Sequence, residues 1–161
     1  MAHVQDFMVW YAPTVNSYKR IGVGAPTSGA TWAPAYATYG MNNRTQSIRI
    51  PAPGRIEIRA TDGAANPYLA AAAIIGCGLD GVAKKTSTGE PNLDNLYELS
   101  PAQIKRKRIK TLPANLLDAV RAAEKNKPLR DWLDDDPAMV GQALLLLGAI
   151  NDVSIPEEDE I

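Results

Sequence analysis

Two short runs of alternating residues flank Pro51-Ala52-Pro53-Gly54, and no other stretch limits the fold as much. Residues 45–50 place Ile48 and Ile50 between Ser47 and Arg49, and residues 55–60 place Ile56 and Ile58 between Arg55, Glu57 and Arg59. Alternation at period two with a proline-glycine link predicts a β-hairpin, and it sends successive side chains to opposite faces. One face is then apolar and must be covered, and the other is ionic.

Helical signals surround the hairpin. Val4, Phe7, Met8 and Tyr11 carry the spacing of one helical face, ended by Pro13. Residues 14–43 hold scattered glycine and proline among polar and aromatic residues, which favours ordered irregular backbone. Asn66 can cap a helix that has Pro67 at its first position, and residues 68–79 then run almost wholly apolar before Gly81, so a buried helix is expected. Residues 84–110 read as an exposed polar loop, 113–126 as a helix with Leu116, Leu117 and Val120 on one side, and 137–150 as a helix apolar nearly all round. Residues 157–160 form an acidic tail. The fold class expected is α+β, with an antiparallel hairpin or sheet packed against helices.

Composition narrows function mainly by exclusion. Across 161 residues, 17 basic and 18 acidic side chains leave a formal charge of -1, so no global field points to nucleic acid or a membrane surface. The basic run Lys105 to Arg108 lacks interleaved aromatics and reads as solvated. A single cysteine, Cys77, and a single histidine, His3, argue against disulfides and Cys/His zinc sites and fit a reducing, cytoplasmic setting. Cys77 is expected to be inert in the core, and His3 a surface or hydrogen-bonded helix residue. No apolar run is long enough to span a bilayer, and no secretory leader is visible.

Arginine is concentrated around the hairpin, as Arg20, Arg44, Arg49, Arg55 and Arg59, with Glu57 and Asp62 as the local acids. Arg55, Glu57 and Arg59 share one strand face. Guanidinium forks on a rigid sheet can grip carboxylate and phosphate oxygens bidentately, and a carboxylate among them can ligate a hard divalent cation. An ordinary ionic strand face with cross-strand salt bridges has the same spacing. The pattern alone leaves both open.

The surrounding words resemble those of the glutamine synthetase family, in order and at close spacing. Asn16-Ser17-Tyr18-Lys19-Arg20, Asn43-Arg44-Thr45 followed by Ile48-Arg49-Ile50-Pro51, Arg55-Ile56-Glu57-Ile58-Arg59, Asp62, Asn66-Pro67-Tyr68-Leu69 and Gly78-Leu79-Asp80-Gly81 are similar to the family's motifs. The likeness covers about residues 3–133, within an expected partial catalytic domain of residues 1–133, and leaves 134–161 as an atypical apolar helix and acidic tail. It implies an ATP-dependent carboxylate–amine ligase using Mg or Mn, in which glutamate is phosphorylated and an amine displaces phosphate. By position, Arg20 and Arg59 would hold glutamate; Arg44, Arg49 and Arg55 would face the ATP phosphates; Arg44 and Arg59 would act in catalysis; and Glu57 would ligate the metal.

Departures accompany the resemblance. Where ammonia-using members carry an acid after the NSYKR word, residues 21–27 carry none, and Gly29 to Pro34 is similar to the γ-glutamylmethylamide-synthetase branch, so ammonia and methylamine both remain candidate amines. The resemblance implies that a β-grasp domain and the strands with the remaining metal ligands precede residue 1, so this chain by itself is expected to be inactive. Alternatively it is a non-catalytic nucleotide- or glutamate-binding subunit that pairs with full-length members. The family forms large homo-oligomers. Tyr97 falls where some members present a modifiable tyrosine, and the plainer expectation is a residue that anchors its loop.

Overall fold

A computed structural model describes residues 1–21 and 33–126 of the chain. Its elements in order are α1 (Met8–Tyr11), a 3-10 helix (Val15–Lys19), β1 (Tyr39–Met41), β2 (Ile48–Ala52), β3 (Arg55–Ile58), α2 (Pro67–Ala83), α3 (Pro101–Arg106) and α4 (Leu116–Lys125). The expected apolar helix at 137–150 and the acidic tail lie outside the described residues.

The hairpin forms as anticipated, with Gly54 at φ 76 closing a tight link between Ala52 and Arg55. The positive φ suits glycine, which has no Cβ to clash there. Register slips by one residue between the pairs Arg49–Glu57 and Ala52–Arg55, so Ile50 and Pro51 oppose Ile56 alone. Proline has no N–H for a ladder, and a bulge is a position that tolerates it.

The sheet is mixed rather than purely antiparallel, because β1 pairs with β2 in parallel. Parallel neighbours normally need a long crossover. Here the paired segments are three residues long, so the loop 42–47 climbs back only about 10 Å at 3.3 Å per residue. Side chains replace the missing backbone partners. Thr45 N and Oγ1 donate to Asn43 Oδ1 at 2.9 and 2.8 Å, and Ser47 Oγ donates to the Thr38 carbonyl at 2.9 Å. These local bonds explain why residues 45–47, expected as strand, are buried irregular backbone instead.

The main core gathers Phe7, Met8, Trp10, Tyr11, Tyr18, Ile21, Ala60, Ala70, Ala73, Leu112 and Val120. Phe7 and Trp10 meet edge to face at 4.8 Å, a favoured aromatic arrangement. The α1 segment is buried on all sides, and its regular helical part is shorter than the periodicity suggested. Asn66 caps α2 through its Oδ1, which accepts from Tyr68 N at 3.0 Å and Leu69 N at 3.3 Å.

Two expectations about α2 need correction. Gly81 does not stop the helix, which runs to Ala83 and is followed by Lys85 at φ 50. The helix is also not buried as a whole. Ala70 and Ala73 face the core, whereas Tyr68, Ile75, Leu79 and Val82 are 84%, 61%, 64% and 76% exposed. An all-round apolar sequence carries no periodicity to say which face is covered; packing partners decide that.

The stretch 84–110 is likewise more than an exposed loop. Ser100 accepts from Gln103 N while Gln103 Oε1 accepts from Ser100 N, and this reciprocal cap starts α3 with Pro101 in its first turn. Leu96 and Ile104 form a second small core with Ala35 and Tyr36. The α4 helix starts at Leu116 rather than 113, because Asn115 Oδ1 accepts from Asp118 N at 2.8 Å.

Candidate functional site

Cross-strand pairing sets Arg49 directly opposite Glu57. Arg49 Nη1 donates to Glu57 Oε2 at 3.0 Å, and Arg59 Nη1 donates to Glu57 Oε1, so both carboxylate oxygens lie between two guanidiniums. The hydrogen bond from Arg59 and the charges of both arginines hold the Glu57 carboxyl below the usual carboxylate range. Glu57 is 31% exposed, and ion pairs in that much solvent contribute about 0.2–1 kcal/mol each. The pairs orient the arginines more than they stabilise the fold.

Each arginine has a further anchor. Arg49 Nη2 donates to Asn42 Oδ1, and Asn42 itself sits at φ 45, a left-handed conformation that asparagine tolerates better than most residues. Arg59 Nε donates to the Arg44 carbonyl at 3.1 Å, and Arg20 Nη2 donates to the Ala60 carbonyl at 3.3 Å. Arg49 and Arg59 therefore converge on Glu57, while Arg20 binds the main chain just beyond β3 and Arg44, exposed, contributes its carbonyl to holding Arg59. Arg55 stands apart, exposed at the hairpin tip on the same strand face.

The loop carrying Arg44 is held from below. Asn43 Nδ2 donates to the Asp94 carbonyl at 2.8 Å, Leu96 N donates to Thr45 Oγ1 at 3.2 Å, and Gln46 Nε2 donates to Asn92 Oδ1 at 3.3 Å. Tyr97 anchors the same region, its hydroxyl donating to the Ala33 carbonyl at 2.6 Å. Burial raises the Tyr97 pKa, against the opposing charge of Arg59. Sequence reasoning missed Asn42 and the 92–96 support. The available signal was the Asn42-Asn43 pair beside Gly40, a composition suited to left-handed and side-chain-capped turns.

The cluster suits oxyanions. Besides its forked nitrogens, Arg49 has a buried Nε with no hydrogen-bond partner among the described residues, a donor that an anion could satisfy. A metal fits less well. Among the described residues no group of three or more His, Cys, Asp or Glu side chains is arranged to hold a metal ion, and Glu57 already spends both oxygens on arginine. Glu57 can contribute at most one ligand to a site completed by other groups.

On the far side of the sheet, Ile48, Ile56 and Ile58 line an apolar cavity of about 440 Å³ with Tyr11, Ile74 and Cys77. The division of the hairpin into apolar and ionic faces therefore holds. Burial pushes the Cys77 thiol up to about 12. His3 and Asp80 also line this cavity, away from the arginines; His3 Nε2 is 2.8 Å from Asp80 Oδ2 and its Nδ1 3.0 Å from Asn126 Nδ2. No helix among the described residues is long and apolar enough to cross a membrane.

A small mixed sheet displaying convergent arginines around one carboxylate, backed by helices, places the chain in the family of the glutamine synthetase catalytic domain, whose sequence model matches residues 1–139. Within that family it is 49% identical over 133 residues to a glutamate–methylamine ligase of Methyloversatilis universalis, covering 83% of this chain and 30% of that protein. It is 43% identical over 130 residues to a glutamine synthetase of Rhizobium leguminosarum bv. phaseoli, covering 81% and 29% respectively. Among solved structures, it resembles a GmaS/ADP complex with a TM-score of 0.78 at 40% identity, over 97% of this chain and 35% of that one. It also resembles apo GmaS without ligand, with a TM-score of 0.70 at 34% identity over 96% and 34%. The chain thus spans about a third or less of the length of these relatives.

Proposed function

We propose that this chain supplies the arginine wall of an ATP-dependent glutamate–amine ligase. The observation that carries the reading is the pair of guanidiniums, Arg49 and Arg59, set on Glu57, with Arg20 bound to the Ala60 carbonyl and the Arg44 main chain bound to Arg59. In this reading Arg20 and Arg59 bind the carboxylates of glutamate, and Arg44, Arg49 and Arg55 face the ATP phosphates. The glutamate side-chain carboxylate attacks the γ-phosphorus with departure of ADP, and an amine then displaces phosphate from the acyl phosphate. In the same reading Arg44 and Arg59 would face the negative charge that shifts during both steps, and fixed guanidiniums lower such barriers by charge stabilisation without reorganising.

A bound Mg or Mn ion would neutralise phosphate charge, with Glu57 as one of its ligands. Methylamine or another alkylamine is the proposed acceptor rather than ammonia. Support comes from the absence of an acid at residues 21–27 and from the 49% identity to the glutamate–methylamine ligase. Homo-oligomeric assembly belongs to the same proposal.

A second reading has its own observation. Because Glu57 is held by two arginines and no three-ligand metal group occurs among the described residues, the chain is also suited to bind nucleotide or glutamate as a non-catalytic subunit. Calorimetric titration of the chain with ADP and Mg, repeated on Arg55→Ala, tests the shared element. Micromolar binding weakened at least tenfold by the substitution is expected; a folded chain that takes up no ADP rejects the nucleotide-binding element of both readings. Ligase turnover with methylamine then separates enzyme from binding subunit.

A further inference from the structure

We infer that residues 137–150 of this chain cover the apolar cavity between the hairpin and α2, seating leucine side chains on Ile56, Ile58 and Val82. The cavity lies on the side of the sheet away from the arginines, so the inference goes beyond the ligase reading and does not rest on it. Its volume of about 440 Å³ is within the range that takes a drug-sized molecule, which leaves room for more than one leucine side chain. Ile56 and Val82 line it while being 61% and 76% exposed, so the cavity opens to the surface there. An apolar cavity holds water poorly and leaves its lining atoms without dispersion partners, which makes an apolar side chain the occupant it favours.

Residues 137–150 have the matching chemistry. They carry no charged side chain, Gln142 is their one strongly polar residue, and Leu144 to Leu147 run without a break. Fourteen residues fall short of the roughly 20 that a helix needs to cross a bilayer, so burial against protein is the way to remove them from water. The route is short. Asn126, where α4 ends, has its Nδ2 3.0 Å from His3 Nδ1, and His3 Nε2 is 2.8 Å from Asp80 Oδ2 on α2. Because His3 and Asp80 both line the cavity, the chain leaves α4 one imidazole away from the cavity wall. The ten residues 127–136 can span about 33–36 Å when extended, far more than that gap requires. Charge favours the same approach. Lys84 and Lys85 are exposed at the end of α2 beside Thr86, which lines the cavity, and Asp134 to Asp136 directly precede the apolar run.

Nuclear Overhauser spectroscopy on the full chain, with methyl-labelled leucine and isoleucine, tests the inference without any substitution. Cross-peaks from the methyls of Leu144 to Leu147 to those of Ile56 and Ile58 are expected. Their absence from a folded sample overturns the inference. So does their appearance between chains in a mixture of leucine-labelled and isoleucine-labelled protein, which would assign the face to a second copy. Cys77, another lining residue, gives an independent readout. The double substitution Leu145→Asp and Leu146→Asp should speed iodoacetamide alkylation of Cys77 by about fivefold or more, since access limits a sheltered thiol. An unchanged rate in a folded variant refutes the cover. Neither measurement touches the arginines, so a negative result leaves ADP binding to be judged by its own titration.

Discussion

A Cβ built on Gly40 would lie 2.3 Å from the carbonyl oxygen of Asn92. The approach is backbone against side chain position, with Asn92 N donating to the Tyr39 carbonyl at 2.8 Å. No rotamer change relieves it. Gly40 thus lets residues 92–96 press against β1 and support the loop that carries Arg44. Gly40→Ala is expected to cost about 1–3 kcal/mol, the range for forced overpacking, measured by urea unfolding. Arginine-site anion binding should weaken with it.

Burial on α2 predicts opposite outcomes for two substitutions on one helix. Leu79 is 64% exposed and Ala73 is 1% exposed. Leu79→Lys should change unfolding free energy by no more than about 0.5 kcal/mol, as surface substitutions do. Ala73→Lys should cost about 3 kcal/mol or more by burying a charge. Similar melting temperatures for the two variants would contradict the placement of this helix.

Acid should weaken the hairpin through Glu57. Its folded pKa is depressed by Arg59 and Arg49, so its contribution is present above the unfolded carboxylate pKa and lost as pH falls through the lower folded value. Melting curves recorded from neutral pH downward should show a smaller acid loss for Glu57→Gln than for the unmodified chain. Parallel curves would show that the ion pairs do not couple to folding.

Cys77 should react slowly. Burial, aided by the nearby Asp80 and Asp6 carboxylates, pushes its thiol up to about 12, so little thiolate exists at pH 8. Iodoacetamide labelling of the folded chain, followed by mass spectrometry, should lag far behind labelling in urea. Equal rates would place the thiol in water.

His3 joins distant segments, with Asp80 on one nitrogen and Asn126 on the other. His3→Ala removes both links and should destabilise the chain by about 1–2 kcal/mol, the usual size for one or two lost hydrogen bonds. Hydrogen exchange should rise at the end of α4 first. Unchanged protection there would refute the tie.

Local chemistry was legible in the sequence. Alternation around Pro53-Gly54 revealed the hairpin and its two faces, Asn66-Pro67 revealed the start of α2, and the arginine words pointed to the family. Such features depend on neighbours along the chain, so spacing and side-chain chemistry suffice to read them. Contacts between remote segments were not legible in that way. The parallel pairing of β1, the support of the Arg44 loop by residues 92–96, the exposed face of α2 and the engagement of Glu57 by Arg49 and Arg59 depend on the positions of groups that linear spacing does not specify. An apolar helix has no preferred face until something packs against it, and a carboxylate between arginines has several possible partners until the backbone register selects them.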